Sequence, residues 1–473
     1  MRARLLLLAA ALLAFGASLG SGFHFDDYAI FSDPARMPAV WSVRQTRPLT
    51  YLTFWLNYQV GGQDPLGYHL LNLALHLGAV MLLYECLLRL LPERAAVVAA
   101  ALFAVHPIQA EAVNYVWGRS IVLATLLCFA ALLAWTKGRT WAAVAWFAIA
   151  LLAKEECAAF PLVLLLLLLP PFDRKRLAPI AAMSGLSLAA AARVIYATAV
   201  TPGAPAGLQA GITPWHYFLA QGPVVLRYLR LLIVPFGFTV DPDIRVPAAW
   251  LGMAAWLAVG ALAALLWKCA PRAERSWMLA GLILLFPSSS IFPAADLAAD
   301  RRMYLPMLGF AAAAGLLLDR VKLPGLAPAA AVALMVVSVI RTQVWMTEES
   351  LWREAVDRAP EKVRPKIQLA RALPAAKALE LLTQAEILAP HDPAVAAELG
   401  KTLLAEGQAE AALPEFGRAL ALDPRDARNF NNRGVALAAL GQTEAARADF
   451  EHALRIEPGL AEAKQNLLKI QGQ

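Results

Sequence analysis

Glu111-Ala-Val-Asn-Tyr-Val-Trp-Gly-Arg119-Ser-Ile-Val-Leu-Ala-Thr-Leu-Leu-Cys-Phe-Ala-Ala-Leu-Leu-Ala-Trp-Thr136-Lys137 is the stretch on which the reading of this chain turns. From Ser120 to Thr136 it runs 17 residues without a charge, enough for one helix to cross a ~30 Å hydrocarbon core. Arginine closes one end and lysine the other. Runs of this kind recur at 4–20, 68–91, 95–112, 119–136, 139–154, 156–171, 177–199, 248–268, 276–293, 303–319 and 323–342, and they predict eleven spans. The first run could also serve as a cleaved leader, but the many spans behind it favour an anchor. Composition agrees: of 473 residues 59% are hydrophobic and 16% charged, with a mean hydropathy of +0.55. An ordinary soluble domain is about 45–50% apolar and ~25% charged.

Charge divides the chain in two. Residues 1–345 carry 26 Lys+Arg against 16 Asp+Glu, whereas 346–473 carry 16 against 19 and are far more polar. The expected domains are a membrane region over 1–344 and a soluble region over 345–473. Net positive charge beside apolar spans belongs to membrane topology, so it gives no reason to expect a nucleic-acid partner. With the N-terminus inside, the connections Leu91 to Arg94, Lys137 to Arg139, Asp173 to Arg176, Lys268 to Arg275 and Asp319 to Lys322 all fall on the cytoplasmic side. A twelfth apolar stretch, 215–240, would break that pattern if it crossed. Gln221-Gly-Pro223 should moreover disturb a helix there, so it reads as lying in or dipping into the outer interface. Cys86, Cys128, Cys157 and Cys269 show no CxxC spacing and suggest neither a zinc site nor a disulfide framework.

This orientation gathers the remaining ionisable groups on the outer face: Asp26-Asp27, His106, Glu111, Arg119, Lys154-Glu155, Arg227, Asp241, Asp243 and Asp300-Arg-Arg302. Charges close to a bilayer are costly and mark function. Two adjacent carboxylates can supply a general base, and with His24 they are candidates for a divalent metal. Arg119, Lys154, Arg227, Arg301 and Arg302 are candidates for holding an anionic lipid phosphate, which guanidinium grips in a bidentate fork. His106, Glu111, Glu155 and Asp241 would line the same site. Arg47 to Tyr58 has the pattern of an amphipathic interfacial helix. His69 and His76, seven apart, favour helix packing over metal. No Walker loop, GxGxxG or GxSxG is present, so nothing supports nucleotide-driven chemistry.

Downstream, Gly400, Gly407, Ala412, Phe416, Ala419-Leu420 and Pro424 recur as Gly434, Gly441, Ala446, Phe450, Ala453-Leu454 and Pro458. The 34-residue period is that of tetratricopeptide repeats, placed at about 359–392 (a weaker copy), 393–426 and 427–460, with a capping helix at 461–473. Such a solenoid offers a groove for an acceptor or partner protein. The fold class expected is all-α: a polytopic helix bundle followed by an α-solenoid.

Several stretches resemble the transmembrane and tetratricopeptide-repeat O-mannosyltransferases, a GT-C-type family. They are Phe25-Asp-Asp27, Arg47-Pro-Leu-Thr50, Gly67-Tyr-His-Leu-Leu-Asn72 with His76, and Phe103-Ala-Val-His-Pro107 through Gly118-Arg119. Ala153-Lys-Glu155, Tyr228-Leu-Arg-Leu-Leu232 and Asp300-Arg-Arg-Met-Tyr-Leu-Pro306 continue the series in the family's order. The chain departs from the family in its short repeat array and in Arg301, where Glu is more usual. The resemblance implies transfer of mannose or another hexose from a polyprenyl-phosphate sugar to a hydroxyl, on protein Ser or Thr, at the periplasmic or lumenal face. It also favours Asp27 as base and Asp26 as its orienting partner. A catalytically silent scaffold and a lipid-linked sugar transporter are the alternatives.

Overall fold

The computed structural model describes residues 1–30, 46–168, 174–201, 204, 206–321, 323 and 325–471. Asp173, Lys322 and the end of the 156–171 run lie outside them. The described residues are helical with no strand, in two compact units, Met1–Thr347 and Glu348–Gln473.

In the first unit the helices are α1 (Arg2–Phe15), α2 (Pro48–Gly61), α3 (Pro65–Leu90), α4 (Glu93–Val105), α5 (Ala110–Asn114), α6 (Arg119–Thr136) and α7 (Thr140–Ala153). They continue with α8 (Phe160–Leu168), α9 (Leu177–Val200), α10 (Pro214–Ile233), α11 (Ala249–Cys269), α12 (Arg272–Leu285), α13 (Met307–Arg320) and α14 (Leu326–Val344). Each of the eleven apolar runs contributes a helix among the described residues, but six of these helices are long and apolar enough to cross a membrane. Counting α4 with the segment Pro107–Asn114, bent by 47°, makes seven. The shortfall has a physical cause. α4, α12 and α13 have 13, 14 and 14 residues, about 20 Å at 1.5 Å per residue, and Pro107, Pro287 and Pro306 lie next to one end of each. One proline barely lowers the average of an apolar run, yet it interrupts the hydrogen-bond ladder. α11 is the plainest span, with exposed Trp250 and Trp267 near its two ends, where indoles favour the interfaces.

Gln221-Gly-Pro223, expected to disturb its helix, does not interrupt it: α10 runs continuously through Pro223. Proline leaves the Leu219 carbonyl without its usual donor, and α11 closes against it. A methyl group added to Gly252 would lie 2.8 Å from that oxygen, so only glycine brings the neighbouring backbone this near. One residue earlier, Trp256 Nε1 donates to the Phe218 carbonyl at 2.8 Å. Small residues set the other close crossings. A Cβ on Gly309 would be 2.3 Å from the Gly281 nitrogen, and one on Gly315 2.5 Å from the Ala95 carbonyl, so α13 is wedged between α12 and α4. Polar side chains bind the remaining helices. Ser338 donates to the Val105 carbonyl at 2.6 Å and Thr342 to the Ala14 carbonyl at 3.1 Å. His76 Nδ1 lies 2.7 Å from the Tyr304 hydroxyl and His69 Nε2 3.1 Å from the Gly22 carbonyl, so the two histidines serve packing separately.

The second unit comprises α15 (Glu348–Arg358), α16 (Val363–Arg371), α17 (Ala375–Leu388), α18 (Pro393–Ala405), α19 (Ala409–Leu422), α20 (Ala427–Ala439), α21 (Thr443–Ile456) and α22 (Ala461–Gln471). α16 to α21 are three antiparallel pairs at the 34-residue period, and α22 covers the last. Gly400 and Gly434 lie under the Phe416 and Phe450 rings, where a Cβ would come within 2.8 and 2.7 Å. The weak first copy is explained by an exchange: Lys366 stands at the glycine register and Leu382 at the phenylalanine register. Lys366 is nonetheless buried. α15 is an additional helix that the repeat pattern does not reveal.

Candidate active site

The acidic pair sits on a 3-10 turn, Phe25–Ile30, just after the α1 segment. Its two carboxylates have different surroundings. Asp27 is fully buried; Oδ2 accepts the His24 backbone N–H at 3.0 Å and Oδ1 the Trp117 N–H at 2.8 Å. Asp27 therefore staples its own turn to the 3-10 turn Val116–Gly118. Burial pushes its carboxyl up to about 7, against the opposing pull of those N–H groups and of His24. Asp26, one residue earlier, is exposed. His24 Nε2 lies 2.7 Å from the Trp345 carbonyl, so the end of α14 supports the turn from the other side. Tyr115 lies between Phe25 (centroids 4.7 Å) and Trp345 (5.8 Å), with the Arg301 guanidinium carbon 5.9 Å from its ring centre. Its hydroxyl is within electrostatic reach of both carboxylates.

Around this turn the cations are paired with acids. Arg301 forms an ion pair with buried Glu111, its backbone N–H also donates to Glu111 Oε2 at 3.1 Å, and Asp296 lies 3.7 Å away. Arg47, at the start of α2, donates twice to Glu155, at 2.6 and 3.1 Å. Burial alone would raise the Glu155 carboxyl, but Arg47 overrides it and holds it near 2. Lys154 is 3.1 Å from Glu156; burial pulls its ammonium down to about 8 despite that partner. Arg227 pairs with Asp300 at 2.5 Å. Arg302 has no acid partner among the described residues and is held by α10 and its own loop, donating to the Tyr217 hydroxyl and to the Leu297 and Asp296 carbonyls at 3.2, 3.0 and 2.7 Å.

The structure thus groups Asp26, Asp27, Glu111, Lys154, Glu155 and Arg301. Arg119 is placed elsewhere, which corrects its assignment to phosphate. It is fully buried and donates to Asn72, Thr53, Asn57 and the Tyr68 carbonyl at 2.7, 3.3, 2.6 and 2.9 Å. The Phe54 ring centre lies 4.6 Å from it. Its hydrogen-bonding fork is committed to the packing of α2, α3 and α6. The metal set considered above does not assemble either. Among the described residues no three His, Cys, Asp or Glu are placed to hold an ion, and His24 and both Asp27 oxygens bond to backbone. Asp241 is buried in the segment after α10. His106 accepts the Ile108 N–H at 3.1 Å, and its other nitrogen lies 3.3 Å from the Leu232 carbonyl. It lines a cavity of about 830 Å³ between α4, α10, α11, α12, α13 and α14 that is otherwise apolar, with Leu232, Phe236, Leu266, Met307 and Leu334 in its walls.

Sequence reasoning missed Tyr115, Trp345, Arg47 and Glu156 as parts of this site. Glu156 alone gave a signal, as the third member of a charged triplet between two apolar runs. The others look like ordinary interface or packing residues until the turn at 25–30 is seen against them.

Residues 45–197 match the family described as dolichyl-phosphate-mannose-protein mannosyltransferase, and 427–459 match the tetratricopeptide repeat. Protein O-mannosyl-transferase TMTC3 of Mus musculus is 46% identical over 99 residues, 21% of this chain and 11% of its own. Protein O-mannosyl-transferase TMTC1 of Homo sapiens is 36% identical over 154 residues, 28% of this chain and 18% of its own. The chain therefore spans less than a fifth of the length of either relative. Among solved structures, the first TPR of Spaghetti (RPAP3) bound to an HSP90 peptide aligns with 24% of this chain and 92% of its own, at 22% identity and a TM-score of 0.23. The sequence matches bear out the resemblance to the transmembrane and tetratricopeptide-repeat O-mannosyltransferases.

Proposed function

We propose that this membrane protein transfers mannose or a similar hexose from a polyprenyl-phosphate donor to a hydroxyl of a protein Ser or Thr. The observation that carries the proposal is the neighbourhood of two unlike surfaces. The apolar cavity is walled by α4, α10 and α13; Arg227 lies on α10, Glu111 on α5 a few residues after α4, and Arg301 on the turn just before α13. A long isoprenoid chain fits the first surface and a charged head group the second. In this reading the acceptor hydroxyl gives its proton to Asp26 as its oxygen bonds to the anomeric carbon. The bond from that carbon to the phosphate oxygen breaks, and its electron pair leaves on the polyprenyl phosphate. Direct displacement inverts the anomeric centre. Arg301 and Lys154, beside the turn, stabilise the leaving charge. The exposure of Asp26 and the committed oxygens of Asp27 exchange the roles favoured by the resemblance: Asp26 is the base and Asp27 holds the turn.

The site would face the periplasm or lumen, with the repeats on that side presenting the acceptor protein. A reporter active only in the cytoplasm, fused after Gln473, should be silent. The decisive experiment incubates purified protein with a panel of polyprenyl-phosphate hexoses and an unmodified acceptor protein. Release of polyprenyl phosphate matched by hexose on the acceptor is expected with one donor. Absence of release from every donor would refute the enzyme and leave a scaffold.

A further inference from the structure

Tyr115, directly after α5, carries a hydroxyl that its packing does not explain. The residue is fully buried and its ring is held on three sides. Phe25 stacks on it with centroids 4.7 Å apart, Trp345 at the end of α14 leans on it at 5.8 Å, and the Arg301 guanidinium carbon lies 5.9 Å from its centre. Yet the hydroxyl oxygen is buried and completes no hydrogen bond among the described residues. A bare buried hydroxyl is costly, and phenylalanine would fill the same stack without one.

What the hydroxyl faces is the acidic turn. Its charged neighbours are Asp26 and Asp27 on that turn and Arg301 on the turn before α13, and toward Asp26 it stands as donor to acceptor. Burial, and then the two carboxylates, push its pKa well above the ordinary tyrosine value, so it keeps a proton to donate. The two carboxylates are not equal acceptors. Each Asp27 oxygen already takes a backbone N–H, from His24 and from Trp117. Asp26 is exposed, and an exposed side chain has several staggered rotamers open to it. It also follows Phe25, the residue stacked on the Tyr115 ring. A turn of the Asp26 side chain is therefore enough to close the bond, while the wedged ring stays where it is.

We propose that Tyr115 is the positioning residue of the site: its hydroxyl donates to one oxygen of Asp26 and leaves the other oxygen aimed at the acceptor hydroxyl. The inference rests on the proposed glycosyltransfer, in which Asp26 is the base. Tyr115 touches neither sugar nor acceptor and acts through Asp26. A carboxylate free to turn faces the acceptor only part of the time, and a fixed one is ready at each encounter. A hydrogen bond to the charged form also favours that form, so Asp26 stays ionised, as a base must be.

The test uses the full chain in detergent micelles and has two arms. The first needs no sugar. A water-soluble carbodiimide with glycine ethyl ester labels carboxyls in their protonated form, and mass spectrometry follows the label on Asp26 from pH 3 to pH 7. Tyr115→Phe, which keeps the ring stack, should move the Asp26 midpoint up by about one pH unit, a tenfold change in proton affinity. His24 and Asp27 on the turn, and Arg301 with its partner Glu111, are the same in both proteins, so the shift reports the hydroxyl. The second arm measures release of polyprenyl phosphate from the lipid-linked hexose. The variant should lose about tenfold in kcat with the donor KM within about twofold. The acidic limb of its pH–rate profile should move up with the Asp26 midpoint. An unmoved midpoint would overturn the bond, and a moved midpoint with unchanged kcat would overturn the positioning role. If the unaltered protein releases nothing from any donor, the enzyme reading fails and takes the positioning role with it. A moved midpoint would then still establish the bond, so the two failures are told apart.

Discussion

A buried carboxyl whose pKa is lifted makes the fold depend on pH, and Asp27 is in that position. Its ordinary pKa of 3.8 rises to about 7 in the folded protein. Between those values the folded state keeps a proton that the unfolded state has lost. Stability is therefore fully present below about 4, falls as pH rises to 7, and is level above that. The slope is about 1.4 kcal/mol per pH unit, so the fold loses roughly 2–3 kcal/mol between pH 5 and 7. For a unit the size of residues 1–347 that corresponds to about 3 °C in Tm. Asparagine is neutral like the protonated carboxyl, but its NH₂ replaces one of the two oxygens that accept the His24 and Trp117 N–H groups, so one of these donors loses its acceptor. Asp27→Asn should then fall below the unaltered protein at pH 5 and lose the pH dependence, so that the gap in Tm closes toward pH 8. Thermal unfolding in detergent across pH 5–8, run on both proteins, measures the difference. Parallel curves would refute the reasoning, since they would mean that Asp27 keeps the same charge in both states.

Asp26→Asn should lower turnover by about 10²–10⁴-fold, the usual cost of a lost positioned base, while binding of the lipid-linked donor stays near normal; normal turnover in a coupled release assay would discard the base assignment. Arg119→Met should cost about 3–5 kcal/mol of stability by stranding Asn57, Asn72 and the Tyr68 carbonyl, with the donor KM of the remaining folded protein unchanged. Gly309→Ala should destabilise by about 1–3 kcal/mol through overpacking against the α12 backbone, read as a lower Tm. Truncation after Thr347, which keeps the Trp345 carbonyl on His24, should retain release of polyprenyl phosphate with water taking the sugar and lose transfer to a protein acceptor; normal transfer would remove the repeats from acceptor binding.

Much of the architecture was legible because it rests on local signals. Period, glycine and phenylalanine positions located the solenoid pairs, and apolar runs located the helices of the bundle. The reading failed where the cause is a neighbour. Pro223 looks like a breaker until α11 brings Gly252 against the orphaned Leu219 carbonyl and Trp256 to the Phe218 carbonyl beside it, and those two residues belong to a run that reads only as lipid-facing. The site shows the same division. Charges in odd places were found by type, but charge alone does not separate Arg119, bonded on every side by uncharged groups, from Arg301, paired with Glu111. Nor does adjacency separate Asp26 from Asp27, since which of two neighbours turns inward depends on the Trp117 amide 90 residues away.

The bond between His24 and the Trp345 carbonyl joins residues 321 apart in sequence. During synthesis the acidic turn is made early and waits, while every other helix of the unit is produced, for the strut that completes it. Ribosomes add about 5–20 residues per second, so the interval is on the order of tens of seconds. A nascent chain that stalls or is clipped before α14 carries its carboxylates in an unfinished setting. If the proposed transfer holds, the first turn of the site and the last helix of its unit are tied together, and a fragment ending before α14 lacks the carbonyl that supports His24.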